Sequence, residues 1–256
     1  MAPTKNDREA RDRLRRYAAR QQVHAAQVSR RRRDDVLAAV GVVVVVTLAV
    51  LTQVVWAQDD PGAASPTASP SASSPTETGD VPSSDIAEGR TWTGQLDLNS
   101  DVQLGIELDG AAAPQATSVI VDLAGKGFYT GTTCHRMSDA DSAKFLQCGS
   151  ANGDGTGDAG FTFGPLENVP ADGLYPAGSI AMARGEQPDS QSTQFFVTYA
   201  DTYLDASTGG YTIVGRVTSG LDQLTSRITD AGLTPGRDAN DGAPVVPTTI
   251  TSLTVE

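Results

Sequence analysis

Basic residues are scarce after position 35. Residues 1–35 hold 11 of the 19 Lys and Arg against five acids, so the other 221 residues carry a formal charge of −18 within the chain's total of −12. A body so acidic does not suit a polyanion, and no nucleic-acid partner is expected for it. Histidine and cysteine are equally sparse, at two each: His24, His135, Cys134 and Cys148. With His24 in the basic arm, no histidine pair is available to hold a metal or relay a proton. No cysteine follows directly on the one long apolar run, which excludes a lipid-modified N-terminus there.

That run, Val36 to Trp56, is 21 residues without a charge. At 1.5 Å per residue a helix of this length spans about 30 Å, the thickness of a bilayer's hydrocarbon core. Arg30 to Arg33 lie just before it, across Asp34 and Asp35, and an acidic stretch follows, so the positive-inside rule places residues 1–35 in the cytoplasm and the remainder outside. Val55 and Ala57 also offer the small residues of a signal-peptide cleavage site. The run is longer than the usual signal core and Trp56 is bulky, which favours an uncleaved, single-pass anchor in the cell membrane, in contact with lipid through residues 36–56. Residues 57–88 are rich in Pro, Ser, Thr and Ala with little to bury, and are expected to form a disordered linker.

From residue 89 to 256 the texture is that of a folded domain. "TWTGQLDLNSDVQLGIELDG" gives short apolar pieces separated by turn residues, as paired strands do, and "YTIVGRVTSG" and "TTITSLTVE" read as further strands. "APQATSVIVDLAGKG" suits a short helix ended by Gly125 or Gly127, and "GLDQLTSRITDAG" a second ended by Gly232. Many strands, two separated helices and no βαβ rhythm imply a mainly β, closed architecture with helical caps.

The densest glycine cluster, "NGDGTGDAGF" at 152–161, has three chemical readings. A phosphate loop requires a following Lys-Ser or Lys-Thr and a helix, and neither is present. A calcium loop requires acidic or amide side chains at alternate positions and then Gly; here Asn152, Asp154, Thr156 and Asp158 are followed by Ala159. The remaining reading is a loop that turns the backbone.

Four motifs recur around it in order: "FYTGTTCHRM", "FLQCGSANGDGTGDAGFTF", "GSIAMARGEQPDSQSTQFFVTY" and "TYLDASTGGYTIVGRV". The succession resembles the cyclophilin family of peptidyl-prolyl cis-trans isomerases, in a membrane-anchored bacterial, actinobacterial-like form, and covers about residues 92–256. The resemblance implies a closed eight-stranded antiparallel barrel capped by two helices, with the glycine loop bordering a peptide groove. It implies Arg136, Gln147 and Phe196 as catalytic residues. Phe145, Ala183, Arg184, Gln194, Tyr203, Leu204 and Tyr211 are implied as substrate-binding residues. It also implies proline-containing polypeptide substrates, assistance to the folding of extracytoplasmic proteins, a monomeric domain, and no metal or cofactor. Twisting an X-Pro amide needs a fixed cation toward the prolyl nitrogen and an apolar seat for its ring, not a nucleophile.

The chain departs from the family pattern in several places. Lys144 stands where an aromatic is usual, unless Phe145 takes that place. Arg184 replaces an Asn, and Tyr203 replaces Trp or Phe. "SDADSA" lengthens the loop after "HRM". These changes point to a more polar groove. They leave two other classes of function open: a cyclophilin-like module that binds proline segments with little turnover, and an extracellular calcium-dependent binding domain built on the Gly-Asp loop. Phe195 is expected in the core and His135 as a hydrogen-bonded structural residue. An extracytoplasmic location would permit a Cys134–Cys148 bridge, but cross-strand neighbours do not all have the geometry for one, and buried free cysteines are common.

Overall fold

The computed structural model describes residues 77–256. The basic tail, the expected membrane span and the linker up to residue 76 lie outside the described residues. Among those described, no helix is long and apolar enough to cross a membrane.

The domain opens with a meander. Strands β1 (Thr91–Leu98) and β2 (Val102–Asp109) pair in register from Thr91–Asp109 to Leu98–Val102. Leu96 and Leu98 of β1, and Val102, Leu104, Ile106 and Leu108 of β2, alternate into the core, the period-2 pattern of a sheet with one buried face. Helix α1 (Pro114–Gly125) follows, with Pro at its first position and Ala116, Val119, Ile120 and Leu123 buried. Ala113 supplies no side-chain cap. The Glu167 carboxylate arrives from a distant loop instead, accepting from the amides of Gln115 (2.9 Å) and Ala116 (2.9 Å), where the helix has unsatisfied donors. Burial raises the Glu167 pKa, and those two amides oppose the shift.

The remaining strands are β3 (Arg136–Ala140), β4 (Ala143–Cys148), β5 (Leu174–Tyr175), β6 (Ser179–Met182), β7 (Phe195–Thr198), β8 (Thr202–Tyr203), β9 (Ile213–Ser219), β10 (Leu233–Asp238), β11 (Asp241–Pro244) and β12 (Ile250–Val255). Helix α2 (Leu221–Arg227) is shorter than the sequence suggests; a 3₁₀ turn, Thr229–Ala231, completes the stretch to Gly232. The main sheet runs β10-β11-β3-β4-β7-β6-β9-β2-β1-β12, and β5 pairs with β8 in a separate ribbon. The segment entering β3 bonds back to the segment entering β12: Gly131 and Cys134 donate to the carbonyls of Ile250 (2.8 Å) and Thr248 (2.9 Å), and Ile250 donates to Thr132 (2.8 Å).

Two expectations need correction. The main sheet holds ten strands rather than eight; the added pair is the β10–β11 hairpin, whose Pro, Gly and Asp content carries little strand signal. The expected linker boundary at 88 also moves, because residues 77–88 are part of the domain. Thr78 pairs with Thr162 through two backbone bonds (3.1 and 2.9 Å). A 3₁₀ turn, Ser84–Ala87, is capped by Ser83, and Ala87 is fully buried, its amide bonded to Ser118 Oγ (2.9 Å) and its carbonyl to Trp92 Nε1 (2.9 Å). Val81 packs on the core beside it, and Gln115 and Ser118 donate to the Pro82 and Ser84 carbonyls (2.8 and 3.0 Å), so packing and hydrogen bonds together dock a stretch that reads as Ser- and Pro-rich.

Candidate active site

Strand register builds the site. Arg136 stands opposite Gln147, Gln147 opposite Phe196, and Phe196 opposite Ala181, so one row of side chains on β3, β4, β7 and β6 faces the same way. The next row places Ser138 opposite Phe145. The alternate residues Met137, Leu146, Val197 and Ile180, with Phe195, fill the main hydrophobic core on the other face. A one-residue alternation therefore separates the structural core from a second apolar cluster of Phe145, Tyr175, Ala181 and Phe196, with Ala143, Ala183, Leu204, Tyr211 and Ile213 packed against it. Phe195 lies in the core as expected.

Within that second cluster is a pocket of about 240 Å³ lined by Arg136, Ser138, Ala143, Phe145, Gln147, Ala183, Arg184, Phe196, Leu204, Tyr211 and Asp241. Phe145 and Phe196 rings lie 5.2 Å apart, and Tyr211 meets Phe196 edge-on at 5.6 Å. Gln147, Ala183 and Arg184 also line an adjoining hollow of about 350 Å³, walled by Gly155, Gly157, Asp158 and Gln194. The structure thus brings nine of the ten expected residues to one groove. Tyr203 is the exception: it is 58% exposed on the β5–β8 ribbon and does not line the pocket.

A chain of side-chain hydrogen bonds crosses the groove. Arg136 donates from one terminal nitrogen to Gln147 Oε1 (3.0 Å), Gln147 Nε2 donates to Gln194 Oε1 (2.9 Å), and Gln194 Nε2 donates to the Gly155 carbonyl (3.0 Å). On its other side, Arg136 grips Asp241 through Nε (2.9 Å) and its second terminal nitrogen (2.7 Å). The guanidinium carbon lies 5.1 Å from the Phe145 ring centroid. The hydrogen bond to Asp241 raises the Arg136 pKa and outweighs the opposing effect of burial.

Several expected roles change. Arg184 is not a loose, solvated charge in the groove. It donates to the carbonyls of Gly210 (2.7 Å), Gly185 (2.9 Å), Glu186 (3.1 Å) and Thr208 (2.8 Å), and lies 5.0 Å from the Tyr211 ring, so it fastens the loop that carries Tyr211. The Ala183 amide is already given to the Gln194 carbonyl (2.9 Å), leaving its own carbonyl for a ligand. Phe145, not Lys144, fills the aromatic position; Lys144 lies on the strand's other face in an ion pair with Asp139. The His135 Nδ1 is buried without a partner, contrary to the hydrogen-bonded role expected of it. Burial, and then the Arg136 charge, lower the His135 pKa, while Asp154 opposes them.

The glycine loop turns the backbone. Gly153, Gly155, Gly157 and Gly160 all have positive φ. Asp154 Oδ1 accepts the Thr156 amide (2.8 Å), and Asp158 Oδ1 accepts the Gly160 amide (2.7 Å), so each carboxylate braces its own loop. A Cβ at Gly155 would also stand 3.1 Å from the His135 ring, a tight contact that the ring would have to yield to. Beneath the groove Cys134 and Cys148 form a disulfide. The two are not directly opposed: Gln147 faces Arg136, so the bridge runs diagonally.

Sequence reasoning missed Asp241 and Tyr175. Asp241 is remote in sequence, on an unforeseen hairpin. Tyr175 is fully buried, and its hydroxyl accepts the Tyr211 amide (2.7 Å) and donates to the Tyr211 carbonyl (3.1 Å). Neither belongs to a local motif that could have revealed it.

Comparison with known proteins matches residues 95–255 to the family model for cyclophilin type peptidyl-prolyl cis-trans isomerases. The probable peptidyl-prolyl cis-trans isomerase B of Mycobacterium tuberculosis is 35% identical over 167 residues, covering 60% of this chain and 51% of that protein. Its counterpart in Mycobacterium leprae is 32% identical over 163 residues, covering 60% and 53%. The chain thus spans about half the length of these curated relatives. Among solved structures, a Cryptosporidium parvum cyclophilin type peptidyl-prolyl cis-trans isomerase superposes with a TM-score of 0.49 at 20% identity, covering 65% of this chain and 98% of that one.

Proposed function

Since this chain belongs to the cyclophilin type peptidyl-prolyl cis-trans isomerase family, we propose that its barrel interconverts the cis and trans forms of X-Pro bonds in polypeptides. The observation that carries this reading is Arg136, held beside an aromatic pocket with donors to spare. A guanidinium has five N–H donors. Asp241 and Gln147 engage three of them, leaving one on each terminal nitrogen for a ligand.

Rotation about the amide costs roughly 18–20 kcal/mol because conjugation is lost at the twisted state. There the prolyl nitrogen regains a lone pair, and a fixed, always-charged donor favours that state over either planar one. The pyrrolidine ring would sit against Phe145, Phe196 and Leu204. Gln147 and the Ala183 carbonyl would hold the flanking backbone. The chemistry needs no group beyond these side chains. The engagement of the Asp154 and Asp158 carboxylates within their own loop supports a structural role for that loop over calcium binding.

Replacing Arg136 with Ala is expected to lower kcat/KM on an X-Pro peptide by about 10²-fold, the usual cost of one transition-state donor. The melting temperature should move little, since the side chain is half-exposed. A wild-type chain that binds proline peptides but shows no turnover would overturn this reading in favour of a binding module.

We further propose that residues 36–56 anchor the chain in the membrane, with the barrel outside and its clients among extracytoplasmic proteins. The charge asymmetry around the apolar run supports this placement. Proteinase added to intact spheroplasts should digest the barrel and spare the basic tail; a protected barrel overturns the placement.

A further inference from the structure

The β10–β11 hairpin brings a carboxylate to the one cation on which the proposed reaction depends. Asp241, the first residue of β11, stands opposite Ser138 on β3, and Gly242 stands opposite Met137. Ser138 and Arg136 are two apart on one strand and share a face, so Asp241 becomes the diagonal neighbour of Arg136. The hairpin is closely built. A Cβ at Gly242 would lie 2.0 Å from the Thr234 carbonyl oxygen, so only glycine allows β10 and β11 to approach this far. The Asp139 amide bonds the Asn240 carbonyl (2.9 Å), fixing the turn immediately before Asp241.

We propose that Asp241 is a positioning residue for isomerisation: it sets the plane of the Arg136 guanidinium so that the two free N–H groups face the pocket. This rests on the functional reading above and extends it to a residue that makes no contact of its own with the reacting bond. Arg136 sits at the very start of β3 with 45% of its side chain exposed, and a stem that long has many rotamers to sample. A bond to Gln147 alone fixes one nitrogen and leaves the group free to swing about it. The Asp241 carboxylate takes Nε and a terminal nitrogen together, at 2.9 and 2.7 Å, and a two-point grip of this kind defines a plane. Its side chain is 31% exposed, so the contribution is geometric more than a gain in stability.

The hydrogen-bond relay gives the hairpin a wider role. Asp241 braces Arg136, Arg136 braces Gln147, Gln147 braces Gln194, and Gln194 holds the glycine loop at Gly155. One end of this line is a hairpin at the sheet edge, and the other is the far wall of the groove. Loosening Asp241 therefore disturbs the donor first and the wall after it.

The test compares the full-length chain with its Asp241→Ala and Asp241→Asn variants, using a proline-containing tetrapeptide and following the Arg136 Nε–H resonance by NMR. Positioning predicts that Asp241→Ala lowers kcat about tenfold while KM stays within about twofold, as expected when a catalytic group is misplaced and binding is kept. Asp241→Asn, which retains an acceptor for Nε, should return kcat to within about threefold of wild type. The Nε–H signal, slow to exchange in the wild type, should exchange faster in Asp241→Ala. An unchanged kcat in Asp241→Ala overturns the inference. So does a loss of kcat in both variants that follows their melting temperatures. If the wild-type chain turns nothing over, the functional reading fails on its own, and the Nε–H exchange still decides whether Asp241 holds Arg136.

Discussion

Arg136, Gln147 and Phe196 sit on three adjacent strands whose pairing fixes the direction each side chain faces, whereas Gly155, Arg184 and Tyr211 are placed by bonds made from or to loop backbone. The two sides of the groove are therefore rigid for different reasons. A strand residue inherits its direction from the pleat, and turning it away would turn its neighbours too. A loop residue holds its place only while its particular bonds last: those to Gln194 and Ser150 for Gly155, and the Gly210 and Thr208 carbonyls gripped by Arg184 for the loop carrying Tyr211. The donor of the proposed reaction is on the strand side, and the surfaces that would meet the flanking peptide are mostly on the loop side. Precision is thus placed where the amide would twist, and adaptability where substrates differ.

The largest expected effect sharpens this contrast from the strand side. The Cys134–Cys148 bridge ties the segment entering β3 to the end of β4, directly beneath Arg136 and Gln147. With a sequence separation of 14 it should contribute about 3 kcal/mol in the chain-entropy account. Reduction should then lower the melting temperature by about 6–12 °C. Intact-mass analysis with and without reductant reports the bridge, and a calorimetric scan reports its worth. A melt unchanged by reduction would mean that β-pairing alone secures the floor.

A smaller effect is expected on the loop side. Gly155 has φ +92°, and its carbonyl ends the relay from Arg136. Gly155→Ala should cost about 1–2 kcal/mol for the left-handed backbone alone, and more as the new methyl meets the His135 ring at 3.1 Å. Gly160→Ala is the control, because Gly160 has φ +85° with nothing within 4 Å of a Cβ. Thermal melts of the two should differ, with Gly155→Ala the less stable and kcat/KM falling only there. Equal melts and equal activities would show that the loop yields freely around His135 and that the wall is softer than its hydrogen bonds imply.

Much of this site was legible before any fold was known, and the legible part is the strand part. Arg136, Gln147, Phe145, Phe196 and Gln194 lie in the short motifs that carry the family resemblance, and strand alternation sets Phe195, in the core, apart from Phe196, in the groove. The loop part misled. Arg184 looks like a charge added to the groove, and only the arrival of Gly210 and Thr208 around it shows its donors to be occupied. Tyr203 looks like a pocket wall, but its strand turns it to solvent. Residues 77–88 look like linker because polar residues, Gly and Pro surround the few that pack, Ala87 and Val81.

By itself the sequence determined the mainly β character and the two helices, because those follow from short-range periodicity and turn chemistry along a single stretch of chain. Only the tertiary structure decided the Asp241–Arg136 grip, the Glu167 cap on α1, the Tyr175 hold on Tyr211 and the register of the disulfide. Arg136 and Asp241 are 105 residues apart, and Gln115 and Glu167 are 52 apart. No local preference encodes such pairs: each forms because strand pairing elsewhere has already met the entropy of closing the loop between its members.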